Sequence, residues 1–527
     1  MPEENVKDNN SKLSELIDIA DFNDRIVESY NHGDAEKDLP ADVSVARSII
    51  PAATGTLRDF SYIAPDIPLF NSQNCVACMD CVTECPDTAI LGKVISKSDF
   101  QKELSKISDP AEKEHYQNKF TETTKFTATY EKKGEEGGMF GIFIDPTKCK
   151  GCAECVEVCG NHQALEMVKK TSENLPQYGK DFTFFTNLPE TPKKYINEKL
   201  LSDMMLAGRS LLYVGGAGSC MGCGEGTVIR MMLAATGFVY GPENVGMVAA
   251  TGCNTVYTST YPYNPYRIPW TNSLFENAPA DAMGVRAKWD QMGWQNKKLW
   301  LIGGDGAMLD IGFQSLSRMF MSGMNIKVIV LDTQVYSNTG GQASTSSFMG
   351  QEAKMSAHGS AVPGKRERRK ELGQIAMMHP NVFVAQTTAA HTNHFYRSVI
   401  AANEYEGPAI IIAYTTCQPE HGVADHLASN QAKLACDSRA FPIFIYDPRK
   451  GKKISERLSL AGNPAMNQDW YVDPKTGQPF TFTDWARTEG RFQKHFDKEG
   501  KPSETLLQAQ QDRLENWHLL QELAGLR

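Results

Sequence analysis

The sequence predicts an α/β protein in which a parallel-sheet domain follows a smaller α+β unit built around cysteines. Two observations lead there. Eight of the thirteen cysteines fall into two runs of one spacing, Cys75-x2-Cys78-x2-Cys81-x3-Cys85-Pro86 and Cys149-x2-Cys152-x2-Cys155-x3-Cys159. After about Met204, short apolar runs alternate with glycine-rich turns, the texture of parallel strands joined by helical crossovers. At 527 residues the chain exceeds a single hydrophobic core, and a scale of about 150 residues per domain gives roughly two to four units.

Residues 1–69 are polar, with scattered apolar pieces such as Ile49-Ile50 and Tyr62-Ile63, and read as an N-terminal arm lying over a partner. The cysteine unit spans 70–203. A [4Fe-4S] cluster needs four converging thiolates, of which a tight three-cysteine loop supplies three and a distant cysteine the fourth. In the two-cluster ferredoxin arrangement that fourth cysteine belongs to the other run. Cys75, Cys78, Cys81 and Cys159 are thus expected on one cluster, and Cys149, Cys152, Cys155 and Cys85 on the second. Disulfides and zinc knuckles compete with this reading, but two four-cysteine runs without a secretory leader argue against them. Gly160, where a second proline is usual, puts the local turn in question and not the ligation. Each run precedes an apolar piece, Thr88–Leu91 and Ala164–Val168, as an internal repeat requires. Between the repeats, the charged stretch 96–138 has helical spacing around Phe100, Leu104 and Ile107 and reads as an insertion.

Residues 204–447 carry the candidate strands Asn244–Ala250, Lys298–Ile302, Ile326–Leu331, Val382–Gln386 and Ala409–Tyr414. Such sheets place ligands at strand carboxyl ends. Directly after Ile302 comes Gly303-Gly304-Asp305-Gly306-Ala307, then Asp310-Ile311-Gly312. The glycines let backbone approach a phosphate and Asp305 offers a hard oxygen, although Gly-Asp-Gly alone also suits a plain turn. The next strand delivers Asp332-Thr333-Gln334-Val335-Tyr336-Ser337-Asn338-Thr339-Gly340-Gly341-Gln342. Carboxylate, hydroxyl and carbonyl oxygens at neighbouring strand ends can hold Mg²⁺ while the ion keeps diphosphate oxygens, the anchor used for thiamine diphosphate. Four further cysteines, Cys220-x2-Cys223, Cys253 and Cys417, lie in loops around this unit; spacing alone admits a structural zinc site, unrelated thiols or a third cluster. Cys436 reads as a small buried side chain. Residues 448–527 form a polar tail ending in a helix, Ser503–Leu526, expected as a docking arm.

The net charge of −9 argues against nonspecific nucleic-acid binding. The one basic run, Lys365-Arg366-Glu367-Arg368-Arg369-Lys370, reads as a solvated helix face or as a dock for a phosphate or an acidic carrier. The opening residues have no basic n-region, and no 18-residue apolar stretch occurs, so no membrane span is expected. Free thiols at metal spacing fit a reducing compartment, the cytoplasm.

The strings Gly304-Asp305-Gly306 with Asp310-Ile311-Gly312, and Asp332 through Gln342, resemble the 2-oxoacid:ferredoxin oxidoreductase family. The likeness is to the carboxyl-terminal portion of its pyruvate:ferredoxin members, over residues 60–450 and more faintly the tail. It implies a thiamine diphosphate-binding parallel-sheet domain preceded by a ferredoxin-like 2[4Fe-4S] α+β domain. It also implies that Asp305, the Thr333 side chain and the Val335 carbonyl bind Mg²⁺, with Gly304 and Gly306 beside the cofactor. Asn338 would face the reacting carbon as the catalytic residue, Thr339 would face the diphosphate, and Cys220, Cys223, Cys253 and Cys417 would hold a proximal [4Fe-4S] cluster. The implied activity is coenzyme A-dependent oxidative decarboxylation of a 2-oxoacid to acyl-CoA and CO2, or the reverse, with electrons leaving through three clusters to ferredoxin or flavodoxin. Asn254–Met283, including Trp270–Asn277, is similar to the pyruvate enzymes. 2-Oxoglutarate, other 2-oxoacids, or an electron-transfer subunit with a non-catalytic thiamine-like domain remain as alternatives. In the family the glutamate that activates the cofactor sits on an earlier pyrimidine domain, which nothing here resembles. The resemblance therefore implies activity only with a partner subunit bearing the pyrimidine- and coenzyme A-binding domains, in a dimer of heteromers.

Overall fold

Residues 18–39, 46, 49–356 and 364–527 are described by a computed structural model. In the cysteine unit, strands β1 (Asp66–Phe70), β2 (Ile90–Ser96), β3 (Phe120–Glu122), β4 (Gly138–Ile144) and β5 (Leu165–Lys169) form two small antiparallel sheets, β1-β5 and β2-β4-β3. The apolar piece after each cysteine run enters a strand, β2 after the first and β5 after the second. Between β2 and β3 the chain forms two helices. Ser96 caps Lys97–Ser105 by accepting from Asp99 N at 3.1 Å, and Asp109 caps Pro110–Asn118, where proline at the first turn has no N–H to leave unpaired. Phe100, Leu104 and Tyr116 from these helices pack with Phe120 and Phe143 in one aromatic core.

The larger sheet contains β6 (Val245–Ala250), β7 (Trp270–Ser273), β8 (Lys298–Gly304), β9 (Lys327–Asp332), β10 (Phe383–Thr388) and β11 (Ala409–Tyr414). They pair all-parallel in the order β10-β11-β9-β8-β6-β7, and β12 (Phe444–Tyr446) and β13 (Leu458–Ser459) extend the β10 edge antiparallel. Residues of β6, β9, β10 and β11 are buried throughout, which is why the sequence shows them as unbroken apolar runs rather than alternating ones. β7 escaped sequence reading because Trp-Thr-Asn-Ser is a polar, partly exposed edge strand. Register fixes the site: Gly304 pairs with Leu331 and Asp332 with Tyr414. The carboxyl ends of β8, β9 and β11 therefore stand level, with β6 ending beside β8.

The two units are keyed together. The helix Gly224–Tyr240 is apolar and buried along most of its length. From it Arg230 Nη1 donates to the carbonyls of Cys85 at 3.0 Å and Thr83 at 3.3 Å, and Thr227 Oγ1 to that of Glu84 at 3.2 Å. In return the Glu154 carboxylate accepts from Ala428 N at 3.0 Å and Ser429 N at 2.9 Å, capping the helix Ala428–Asp437.

The described parts of both ends pack on the rest of the chain, while most of the expected arm, 1–17 and much of 40–48, lies outside the described residues. Phe22, Ile26, Val27 and Leu39 pack on Tyr263, and Thr54 Oγ1 donates to Pro262 O at 2.8 Å. Phe482, Trp485, Phe492, Leu506 and Trp517 of the tail lie in the same core as Val330 and Ile412 of the sheet. The polar appearance of 448–527 misled because these anchors are far apart and follow no single period. No helix of the described residues is long and apolar enough to cross a membrane.

If the tail is part of this core, Trp485→Ala should destabilise the chain by about 3–5 kcal/mol, read from the urea midpoint of the sheet domain. An effect under about 0.5 kcal/mol, the size seen at exposed positions, would return the tail to the docking role.

Candidate active site

Asp305 follows β8 and Thr333 follows β9, so the level strand ends bring their side chains together. Asp305 Oδ1 accepts from Thr333 N at 3.3 Å and Thr333 Oγ1 at 3.1 Å, while Oδ2 accepts from Ser344 Oγ at 2.5 Å and Ser346 Oγ at 2.7 Å. Thr333 Oγ1 also lies 3.2 Å from Val335 O. An octahedral Mg²⁺ with Mg–O near 2.1 Å spaces adjacent ligand oxygens by about 3.0 Å. The Asp305, Thr333 and Val335 oxygens span two such edges, so the donor set fits the ion. Gln334 makes the turn possible: at φ 58° it is left-handed, and its carbonyl accepts from Ser347 Oγ at 2.5 Å and Gln351 Nε2 at 2.9 Å. Burial and then the nearby Asp332 push the Asp305 carboxyl up to about 7, against the pull of its hydroxyl donors; a bound cation would hold it ionised.

These groups open on a cleft lined also by Gly304, Gly306, Ser337, Asn338, Thr339, Cys253 and Glu225. A Cβ at Gly306 would sit 2.3 Å from the Tyr336 ring, so glycine is what lets backbone line the cavity there. Asp310 steadies the wall by accepting from Tyr336 Oη at 2.9 Å and Thr345 N at 3.1 Å. Asn338 and Thr339 are exposed at the mouth, with Thr339 Oγ1 2.5 Å from Gln342 Oε1. Sequence reading missed Glu225. It is buried in the first turn of the helix Gly224–Tyr240, its Oε2 has no partner, and burial followed by the charge of Asp305 pushes it up to about 8. A lone acid opening so apolar a helix was the available signal.

Cys75, Cys78, Cys81 and Cys159 line one cavity; Cys85, Cys149, Cys152 and Cys155 line another. The runs cross over, each sending its last cysteine to the other's cavity. Ala77, Met79, Gly151 and Ala153 all have positive φ, which curls each run around its centre. Cys220, Cys223, Cys253 and Cys417 lie near enough to perturb one another, and Cys253 shares the Asp305 cavity. Gly222, at φ 67°, has no room for a side chain, since a Cβ would meet Asp425 O at 1.8 Å. Burial pushes the Cys75 and Cys417 thiols up to about 11 and Cys149 to about 12; a cationic centre would release these protons.

Residues 250–413 match the family described as thiamine pyrophosphate enzyme, C-terminal TPP binding domain. The chain is 27% identical over 543 residues to the pyruvate-flavodoxin oxidoreductase of Rhodospirillum rubrum, covering 88% of this chain and 42% of that one. It is 28% identical to a probable pyruvate-flavodoxin oxidoreductase of Escherichia coli (76% and 38% covered), and 27% identical to the pyruvate:ferredoxin oxidoreductase of Moorella thermoacetica (78% and 39%). Over most of its length the chain is similar to pyruvate:ferredoxin and pyruvate-flavodoxin oxidoreductases. It spans about two fifths of the length of these curated relatives. Because they carry the matching portion within single, longer chains, they give no support to a separate partner subunit. A solved 2-oxoglutarate:ferredoxin oxidoreductase from Magnetococcus marinus overlaps 38% of this chain and 65% of its own, at 20% identity and a TM-score of 0.33.

The basic run is mostly internal structure. Lys365 Nζ donates to the carbonyls of Ser347 at 2.8 Å and Ser344 at 3.1 Å, holding the loop that feeds Asp305. Arg369 pairs with Asp332 and donates to Ser346 O at 2.7 Å, and Arg368 reaches Glu515 at 2.8 Å and Asp512 at 3.1 Å. Arg369→Met should therefore leave a buried, unpaired Asp332 and cost about 3–5 kcal/mol in denaturant unfolding. The exposed Arg366 changed to Met should cost under about 0.5 kcal/mol; equal small effects would contradict the clamp.

Proposed function

We propose that this chain anchors thiamine diphosphate through Mg²⁺ in a 2-oxoacid oxidoreductase, with pyruvate the first substrate, and conducts the electrons away through three [4Fe-4S] clusters. The observation that carries the reading is one cavity wall holding both the Asp305, Thr333 and Val335 oxygens and Cys253, a member of the third cysteine group. The thiamine family match and the pyruvate names of the relatives support it. When bound, thiamine diphosphate supplies an electron sink for decarboxylation, and the clusters accept electrons singly.

This chain's residues divide the work. Asp305, Thr333 and Val335 hold the ion, Gly304 and Gly306 give backbone access, Thr339 stands where a diphosphate enters, and Asn338 faces the substrate at the mouth. Glu225 lines the wall between ion site and cysteines. Cys220, Cys223, Cys253 and Cys417 would hold the cluster nearest the thiamine site, the Cys85 group the next and the Cys75 group the outermost, together supplying one-electron carriers toward ferredoxin or flavodoxin. The order is supported by Lys150, which lines the Cys85 cavity and donates to Ala217 O at 2.8 Å and Ser219 O at 2.9 Å, just before Cys220. Pyrimidine and coenzyme A contacts fall to polypeptide beyond these 527 residues, in the enzyme's cytoplasmic, reducing setting.

In the complete enzyme, about twelve irons are expected per copy of this chain, and Asp305→Asn should weaken Mg²⁺-dependent thiamine diphosphate binding at least about a hundredfold without changing the iron. Calorimetry and iron analysis read the two independently. Wild-type enzyme that binds no thiamine diphosphate would leave only an electron-transfer role, and about eight irons with one zinc would remove the third cluster. A 2-oxoacid panel with coenzyme A tests the substrate: pyruvate should have the highest kcat/KM.

A further inference from the structure

Further along the same rim of strand ends, three potential metal ligands of different types meet where nothing in the proposed reaction uses them. The ligand atoms of His391, Cys436 and Asp437 lie within 4.8 Å of one another, with Cys436 and Asp437 buried. His391 follows β10 and precedes the helix Thr392–Glu404; Cys436 and Asp437 close the helix Ala428–Asp437. That helix end is where aligned peptide dipoles favour a cation.

The imidazoles are also oriented as ligands are. His391 Nδ1 is 2.8 Å from Thr388 Oγ1, which frees Nε2. One turn on, His394 is held in the same way, Nδ1 to Thr387 Oγ1 at 2.9 Å, and its buried Nε2 has no partner. Fixing one ring nitrogen by a neighbouring hydrogen bond is how metal-binding histidines are aimed. We propose that His391, Cys436 and Asp437 form a structural zinc site that ties the end of β10 to the helix Ala428–Asp437. Imidazole, thiolate and carboxylate suit this ion, and zinc at about 2.0–2.3 Å from each would draw the ligands to roughly 3.3–3.8 Å apart. Solvent completes the tetrahedron. Lys433, which pairs with Asp437, is more than half exposed and can turn outward.

The site would have a purpose in the fold. The same helix begins at Ala428, where Glu154, set between Cys152 and Cys155, caps it. An ion at the far end would fix the element on which that cysteine loop is seated.

The test uses the full chain with its iron restored, exposed to ZnCl2, desalted and analysed for both metals. We expect about one zinc per chain beyond the iron. His391→Asn and Cys436→Ser should each lower zinc retention at least about tenfold at unchanged iron, and Co²⁺ in place of zinc should give a thiolate charge-transfer band that Cys436→Ser abolishes. His391 is only half-buried, so its variant guards against misfolding of the cysteine variant. No retained zinc in the wild type, or zinc equally retained in both variants, would overturn the site and leave Cys436 a small buried side chain.

Discussion

The register of four parallel strands governs this molecule. Because β11, β9, β8 and β6 are neighbours and the first three end level, Cys417, Thr333, Asp305 and Cys253, far apart in sequence, emerge along one rim. A one-residue slip of β9 would turn Thr333 away from Asp305 and dissolve both the ion site and its contact with the cysteine group. The strands can hold that register because they are buried on both faces, where any slip would expose an apolar run.

Charge buried behind the rim is the cost of this arrangement, and the chain meets it with dedicated partners. Arg369 balances Asp332, hydroxyls of Thr333, Ser344 and Ser346 satisfy Asp305, and Arg491 is paired with Glu489 while bonding to Gln334 Oε1 at 3.1 Å. Isolated buried ions would be strongly unfavourable; paired and hydrogen-bonded, they fix loop geometry instead. The residues 482–517 and the basic run 365–370 thus belong to the site's foundation. Both were misjudged as surface because composition reports polarity and not where a charge is matched.

Much of the rest was legible. Five of the six parallel strands announced themselves as short apolar runs, and the glycine-flanked Asp305 pointed to a strand end because backbone access and a hard oxygen recur there. The cysteine spacing raised the expectation of crossed runs, since a three-cysteine loop leaves the fourth ligand to come from elsewhere, and the thiols line two cavities in that crossed arrangement. Other features had no local signal. Glu225 depends on a helix that swings its first turn into the cavity, β7 has no apolar run, and the convergence of His391 with Cys436 needs two crossovers that only the fold supplies.

An iron-edge anomalous map of crystals of the chain bears most directly on the linkage between ion site and electron path. Three separate iron centres should appear: one against Cys253 on the wall of the Asp305 cavity, one among Cys85, Cys149, Cys152 and Cys155, and one among Cys75, Cys78, Cys81 and Cys159. Only two centres, or centres each held by the four consecutive cysteines of a single run, would contradict it.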